Sequence, residues 1–100
     1  MQLSRRLRQK QRERKARLGR LPKSIHLGRG YLVKIEIITP TQIAEILEIE
    51  EKDAVAGFWD DDDWVIYIDG SVSRKRQWEA YFHELIHAVH DTAELNRGGI

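Results

Sequence analysis

One stretch, SVSRKRQWEAYFHELIHAVHDTAEL at residues 71–95, contains neither Gly nor Pro and reads as a single long helix. Ser71 or Ser73 can cap its start, and Gly98 and Gly99 follow its end. On a helical wheel, Trp78, Tyr81, Phe82, Leu85, Ile86, Ala88, Val89 and Ala93 share one contiguous arc. Glu79, His83, His87, His90 and Glu94 form a stripe on the opposite side, with Glu84 beside it. So broad an apolar arc needs a second layer to cover it, and in a chain of 100 residues that layer must come from the short segments ahead.

Those segments read mostly as strands. In YLVKIEIITP (31–40), Leu32, Val33, Ile35, Ile37 and Ile38 surround Lys34 and Glu36, a partly alternating β-branched run bounded by Gly30 and Pro40. In TPTQIAEILEIEEKD (39–53), Thr39 or Thr41 can cap a helix with Pro40 near its first turn. Ile43, Ile46 and Leu47 then mark a 3–4 spacing that suits a helix of about ten residues. AVAGFWDDDDWVIYIDG (54–70) reads as an antiparallel hairpin, Val55–Trp59 with Trp64–Asp69, joined by a solvated turn at Asp60–Asp63. Gly57 within its first strand marks a bulge or a close backbone approach. The expected fold is α+β, a short antiparallel sheet packed on the long helix and spanning residues 30–100.

Charge divides the chain at the same place. Residues 1–29 carry eleven Lys/Arg and one acid, Glu13, whereas residues 30–100 carry six Lys/Arg and fifteen acids. A basic arm therefore precedes an acidic domain. The arm is rich in helix formers, but Arg and Lys share the stripe of Leu3, Leu7 and Leu18, so it reads as helical on a partner or as disordered. Arg5, Arg6, Arg8, Lys10, Arg12, Arg14, Lys15, Arg17 and Arg20 are its candidate contacts to nucleic acid or to an acidic protein surface. No aromatic residue precedes Tyr31, so base stacking is not indicated. His26, in the linker, is given no role. The chain has no cysteine, which excludes disulfides and thiolate metal sites. Its longest apolar runs fall far short of a membrane span, and no apolar stretch follows the basic start as a secretory signal would need. A soluble, cytoplasmic protein is expected.

Within the long helix, HELIH at residues 83–87 carries a chemical pattern. His83 and His87 lie one turn apart and point the same way. Two imidazoles so placed can reach one ion about 2 Å from each ring nitrogen. Glu84 is adjacent but offset, near enough to touch an attacking water without being a ligand. That division of labour suits zinc-dependent hydrolysis, in which the metal activates water and polarises a carbonyl while the Glu carries the proton.

The segment WVIYIDGSVSRKRQWEAYFHELIHAVHD (64–91) resembles the core of the ImmA/IrrE-like metallopeptidases, particularly their short phage and prophage versions. The shared features are a strand ending in Ile-Asp, a Ser-rich turn, an Arg/Gln-containing helix start and His-Glu-Leu-x-His-Ala. KIEIITPTQIAEIL and AVAGFWD are similar to the strand–helix–strand that precedes this core in those proteins, so the resemblance covers about residues 31–92. It implies a gluzincin-like domain of phage origin with one zinc ion, His83 and His87 as ligands and Glu84 as general base. It also implies a third, carboxylate ligand from a further helix after the motif. Only TAELNRGGI follows Asp91 in this sequence. The candidates are therefore His90, Asp91 if the backbone turns there, and Glu94 if the helix breaks after His90. A residue elsewhere in the fold, a water or a partner chain are the other sources. Glu79 and Asp91 are candidates to accept an imidazole N–H and orient the ring.

Two functions follow as expectations. The first is a zinc metallopeptidase acting on a peptide or protein substrate. The second is a non-catalytic protein with the same fold, anchored by its arm to nucleic acid or to an assembly such as a virion.

Overall fold

The computed structural model describes residues 18–98. Arg5, Arg6, Arg8, Lys10, Arg12, Arg14, Lys15 and Arg17, with the helix expected around them, lie outside the described residues. The elements in order are β1 (Ser24–His26), β2 (Leu32–Ile38), α1 (Pro40–Leu47), a 3-10 turn (Glu51–Asp53), β3 (Gly57–Asp60), β4 (Val65–Asp69) and α2 (Arg74–Gly98). Both helices start where side-chain oxygens meet free backbone amides. Thr39 and Gln42 form a reciprocal capping box at α1. Ser73 Oγ accepts from the Arg76 amide at 3.1 Å, which places the start of α2 at the second of the two serines considered above.

The four strands form one sheet in the order β1-β2-β4-β3. β3 pairs antiparallel with β4, as the hairpin reading expects, and β1 pairs antiparallel with β2. β2 and β4, however, are parallel, from Lys34 opposite Val65 to Ile38 opposite Asp69. The sheet is thus mixed rather than wholly antiparallel. The physical reason lies in β4, whose VIYID is the strand most buried on both faces and takes a central place. The hairpin partner β3, with Gly57 and a terminal Asp60, is left at the edge. The sheet also takes in Ser24–His26, from the stretch read as arm and linker. Leu21 is buried in the core, and the Trp78 indole donates to the Gly19 carbonyl at 2.9 Å, so the chain from Gly19 onward lies against the domain.

One face of the sheet carries Val33, Ile35, Ile66 and Ile68, and these meet Ala80, Tyr81 and Ala88 of α2. Among the described side chains of α2, those buried are Gln77, Ala80, Tyr81, Glu84, Ala88 and Thr92. The apolar arc of the wheel is therefore split. Tyr81 and Ala88 face the sheet, while Phe82, Ile86 and Val89 are 54%, 69% and 47% exposed. Side-chain size explains the rotation. The row Ala80, Glu84, Ala88 and Thr92, at four-residue spacing, is narrow enough to lie close under β3, whereas a row of Phe82, Ile86 and Val89 is not. Gly57 is required instead by the pairing with β4, since a Cβ built on it would stand 2.8 Å from the Tyr67 carbonyl oxygen and 2.9 Å from Ile68 Cδ1, while Ala80 Cβ of α2 lies at 3.5 Å, in ordinary contact. Among the described residues no helix is long and apolar enough to cross a membrane.

Candidate metal centre

The four-residue row that sets the helix against the sheet also sets the environment of the motif. Glu84 occupies that row between Ala80 and Ala88 and is only 9% exposed. His83 and His87 occupy the adjacent row and are exposed. Their ring centroids are 5.0 Å apart with planes at 73°. One ligand atom from each of His83, Glu84 and His87 lies within 4.8 Å of the others. A tetrahedral ion held at about 2 Å needs its two nitrogens about 3.3 Å apart, and two exposed rings can reach that spacing by rotation. Neither imidazole is held by a hydrogen bond or ion pair among the described residues, so nothing resists that adjustment. The donor set fits a divalent cation with a taste for imidazole nitrogen.

Burial pushes the Glu84 carboxyl above its ordinary value, a rise partly offset by the neighbouring His83 and His87. No hydrogen-bond donor among the described residues meets this carboxylate. A carboxylate that is largely covered, raised and without a protein donor, yet open to the cleft, is poised to take a proton. The same burial costs stability in the metal-free protein, and the sign follows from linkage. Between the ordinary value of 4.5 and the raised folded one, the folded state keeps a proton that the unfolded state has lost. Stability therefore falls as pH rises through that window and stays lower above it. Metal-free Glu84→Gln is expected to melt at a higher temperature than metal-free wild type at pH 7.5, and the difference should vanish below about pH 4. Thermal melts at the two pH values check this; equal melting temperatures at pH 7.5 would count against a costly buried charge.

Glu84 and His83 open onto a cleft of about 510 Å³, whose opposite wall is Val55, Ala56, Gly57 and Phe58. That wall includes β3, which pairs only with β4 and so leaves its outer edge unpaired. The other motif residues are placed as follows. Glu79 lies at the cleft and pairs with Arg76 at 3.6 Å rather than with an imidazole. Asp91 likewise does not orient a histidine, because its Oδ2 accepts the Trp59 indole N–H at 2.6 Å. His90 and Glu94 are exposed. Since α2 continues unbroken to Gly98, the backbone neither turns at Asp91 nor breaks after His90, and these three residues stay outside the His83–Glu84–His87 cluster. Asp60, Asp61 and Asp62 also have carboxylates close together, but Asp60 Oδ1 accepts from the Asp62 and Asp63 amides and serves the turn.

Sequence reasoning flagged Gly57 for its backbone but not β3 as the wall of a cleft. A strand edge has no residue-type signature, and its place beside α2 depends on the sheet order. The Trp59–Asp91 bond joins residues 32 apart and has no local signal either. No protein-family model, no curated protein and no solved structure matches the chain.

Proposed function

We propose that the chain is a zinc-dependent metallopeptidase of zincin type. One observation carries the reading: two imidazoles and a carboxylate without a protein donor stand on one turn of helix, with His83 and Glu84 lining a cleft walled by an open strand edge. His83 and His87 would hold the zinc, with the remaining positions filled by water, substrate or a donor beyond the described cluster. Zinc held there supplies Lewis acidity, acidifying water and polarising the scissile carbonyl. Glu84 takes the proton of the attacking water and passes it to the leaving amine, a role matched to its raised proton affinity. The unpaired edge of β3 suits a peptide better than a small ester or amide, because an extended backbone can add to it as a further strand. Metal analysis of the purified protein tests the reading. Near-stoichiometric zinc is expected in wild type, with loss in His83→Ala and in His87→Ala. Wild-type protein that takes up no zinc from a zinc-containing buffer would sink the proposal.

A second reading, attachment of the domain to a polyanion through its basic arm, is favoured by a different observation. Where the chain enters the domain, Arg20, Lys23 and Arg74 border a pocket of about 380 Å³. None of them is in an ion pair among the described residues. Salt-sensitive DNA binding, weakened by removal of residues 1–17 and further by Arg20→Glu with Lys23→Glu, is the expected result. Binding indifferent to these changes would retire this reading.

A further inference from the structure

The largest cavity among these lies outside the cleft just described. It has a volume of about 580 Å³ and sits between the C-terminal half of α2 and the β3–β4 turn. Its apolar wall is Trp59, Trp64 and Leu95, and Asp61, Asp91 and Glu94 supply carboxylates. We propose that this cavity binds the cationic side chain, lysine or arginine, of a peptide and thereby selects substrates for the His83–Glu84–His87 centre.

The chemistry follows from what each wall offers. The Trp59 ring is fixed by the bond from its Nε1 to Asp91 Oδ2, which leaves the other Asp91 oxygen available. Trp64 is held against Tyr31, with ring centroids 4.9 Å apart. Two indoles held in place make a slot for an aliphatic stem and attract a cation at their faces. The two ion pairs among the described residues, Lys52–Glu50 and Arg76–Glu79, lie elsewhere, so among the described residues no cation meets Asp61, Asp91 or Glu94. These three are not close enough together to form a metal-holding group, unlike Asp60–Asp62 on the turn. Spread carboxylates over aromatic walls match an extended organic cation rather than a metal ion.

Position ties the cavity to the reaction. Asp91 is one turn beyond His87 and Leu95 two, or roughly 6 and 12 Å along the axis. An extended peptide advances about 3.3 Å per residue, so the cationic residue would lie about two to four residues from the bond cleaved. This selection rests on the peptidase reading, whereas binding rests on the cavity alone, and the test separates the two.

Pentapeptides containing arginine or lysine are titrated into the full-length protein and compared with the same peptides carrying citrulline or norleucine. Tryptophan fluorescence reports binding, and zinc content is measured alongside. The cationic peptides are expected to bind at least tenfold more tightly, and Asp61→Asn with Glu94→Gln, or Trp64→Leu, should remove the preference. Equal affinity for charged and neutral peptides, or a preference unchanged in both variants, overturns the proposal. On zinc-loaded protein, kcat/KM should be at least tenfold higher for peptides with the cation two to four residues from the cut. Cleavage with no such preference overturns selection while the peptidase reading stands. A binding preference in a protein that cleaves nothing supports the cavity and removes the peptidase reading.

Discussion

Glu84→Gln should keep the zinc and lose the hydrolysis. The amide has nearly the shape of the carboxylate, so it fits the same position between Ala80 and Ala88 on the sheet-facing row of α2. Its amide N–H groups are donors that the carboxylate did not have, and the opening of this position onto the cleft lets water accept from them. What disappears is the ability to hold a proton in transit. General acid–base catalysis contributes about 10²–10⁴-fold, so kcat should fall by that factor while KM stays near its wild-type value. His83→Ala and His87→Ala should reach a similar loss by another route, since each would remove a proposed ligand and with it the metal. Parallel zinc analysis and kinetics on the three variants therefore give two signatures, inactive with zinc and inactive without it. A Glu84→Gln protein that cleaves within tenfold of wild type would exclude Glu84 as the base.

The His83–Glu84–His87 cluster was legible in the sequence because it is local. His83, Glu84 and His87 lie within five residues on one helix, and helical geometry alone brings their side chains together. The cap at Thr39, the hairpin around Asp60–Asp63 and the extent of α2 were legible for the same reason, each being encoded within a few residues. The features that escaped are relations between distant segments. β1 is three residues long, too short for any period to show, and it exists because Leu32–Lys34 offers it an edge. The parallel pairing of β2 with β4 depends on which strand takes the centre of the sheet. The wheel separated polar from apolar residues correctly, yet α2 turns the row of Ala80, Glu84, Ala88 and Thr92 inward and leaves Phe82, Ile86 and Val89 exposed. Hydrophobicity identified the arc; the closeness of β3, a matter of volume, chose the row. That choice buries Glu84 and makes it more than a neighbour of the histidines.

Enlarging Gly57 should damage both the fold and the site. Its missing side chain leaves room for β4 alongside β3, and the nearest atom to an added Cβ is a backbone oxygen, Tyr67 O at 2.8 Å, which cannot rotate away. Ile68 Cδ1 at 2.9 Å can yield, but only into a core where Ile66 and Ile68 are fully buried. Overpacking of this kind costs about 1–3 kcal/mol for Gly57→Ala, and Gly57→Val should cost more. In a domain of this size each kcal/mol lowers the melting temperature by about 4–8 °C. Gly19→Ala is the control, since nothing lies within 4 Å of its Cβ and the change should be nearly neutral. The effects on metal and on cleavage should separate as well. Both histidines belong to α2, so the folded Gly57→Ala protein should still take up zinc. Its cleft wall is displaced, however, and peptide cleavage should fall with a rise in KM, because β3 is the strand that would align the substrate. Thermal melts, zinc content and kinetics on the two alanine variants distinguish these effects. If Gly57→Ala melts with wild type, the close packing of β3 on β4 at Gly57 is not a constraint on the fold.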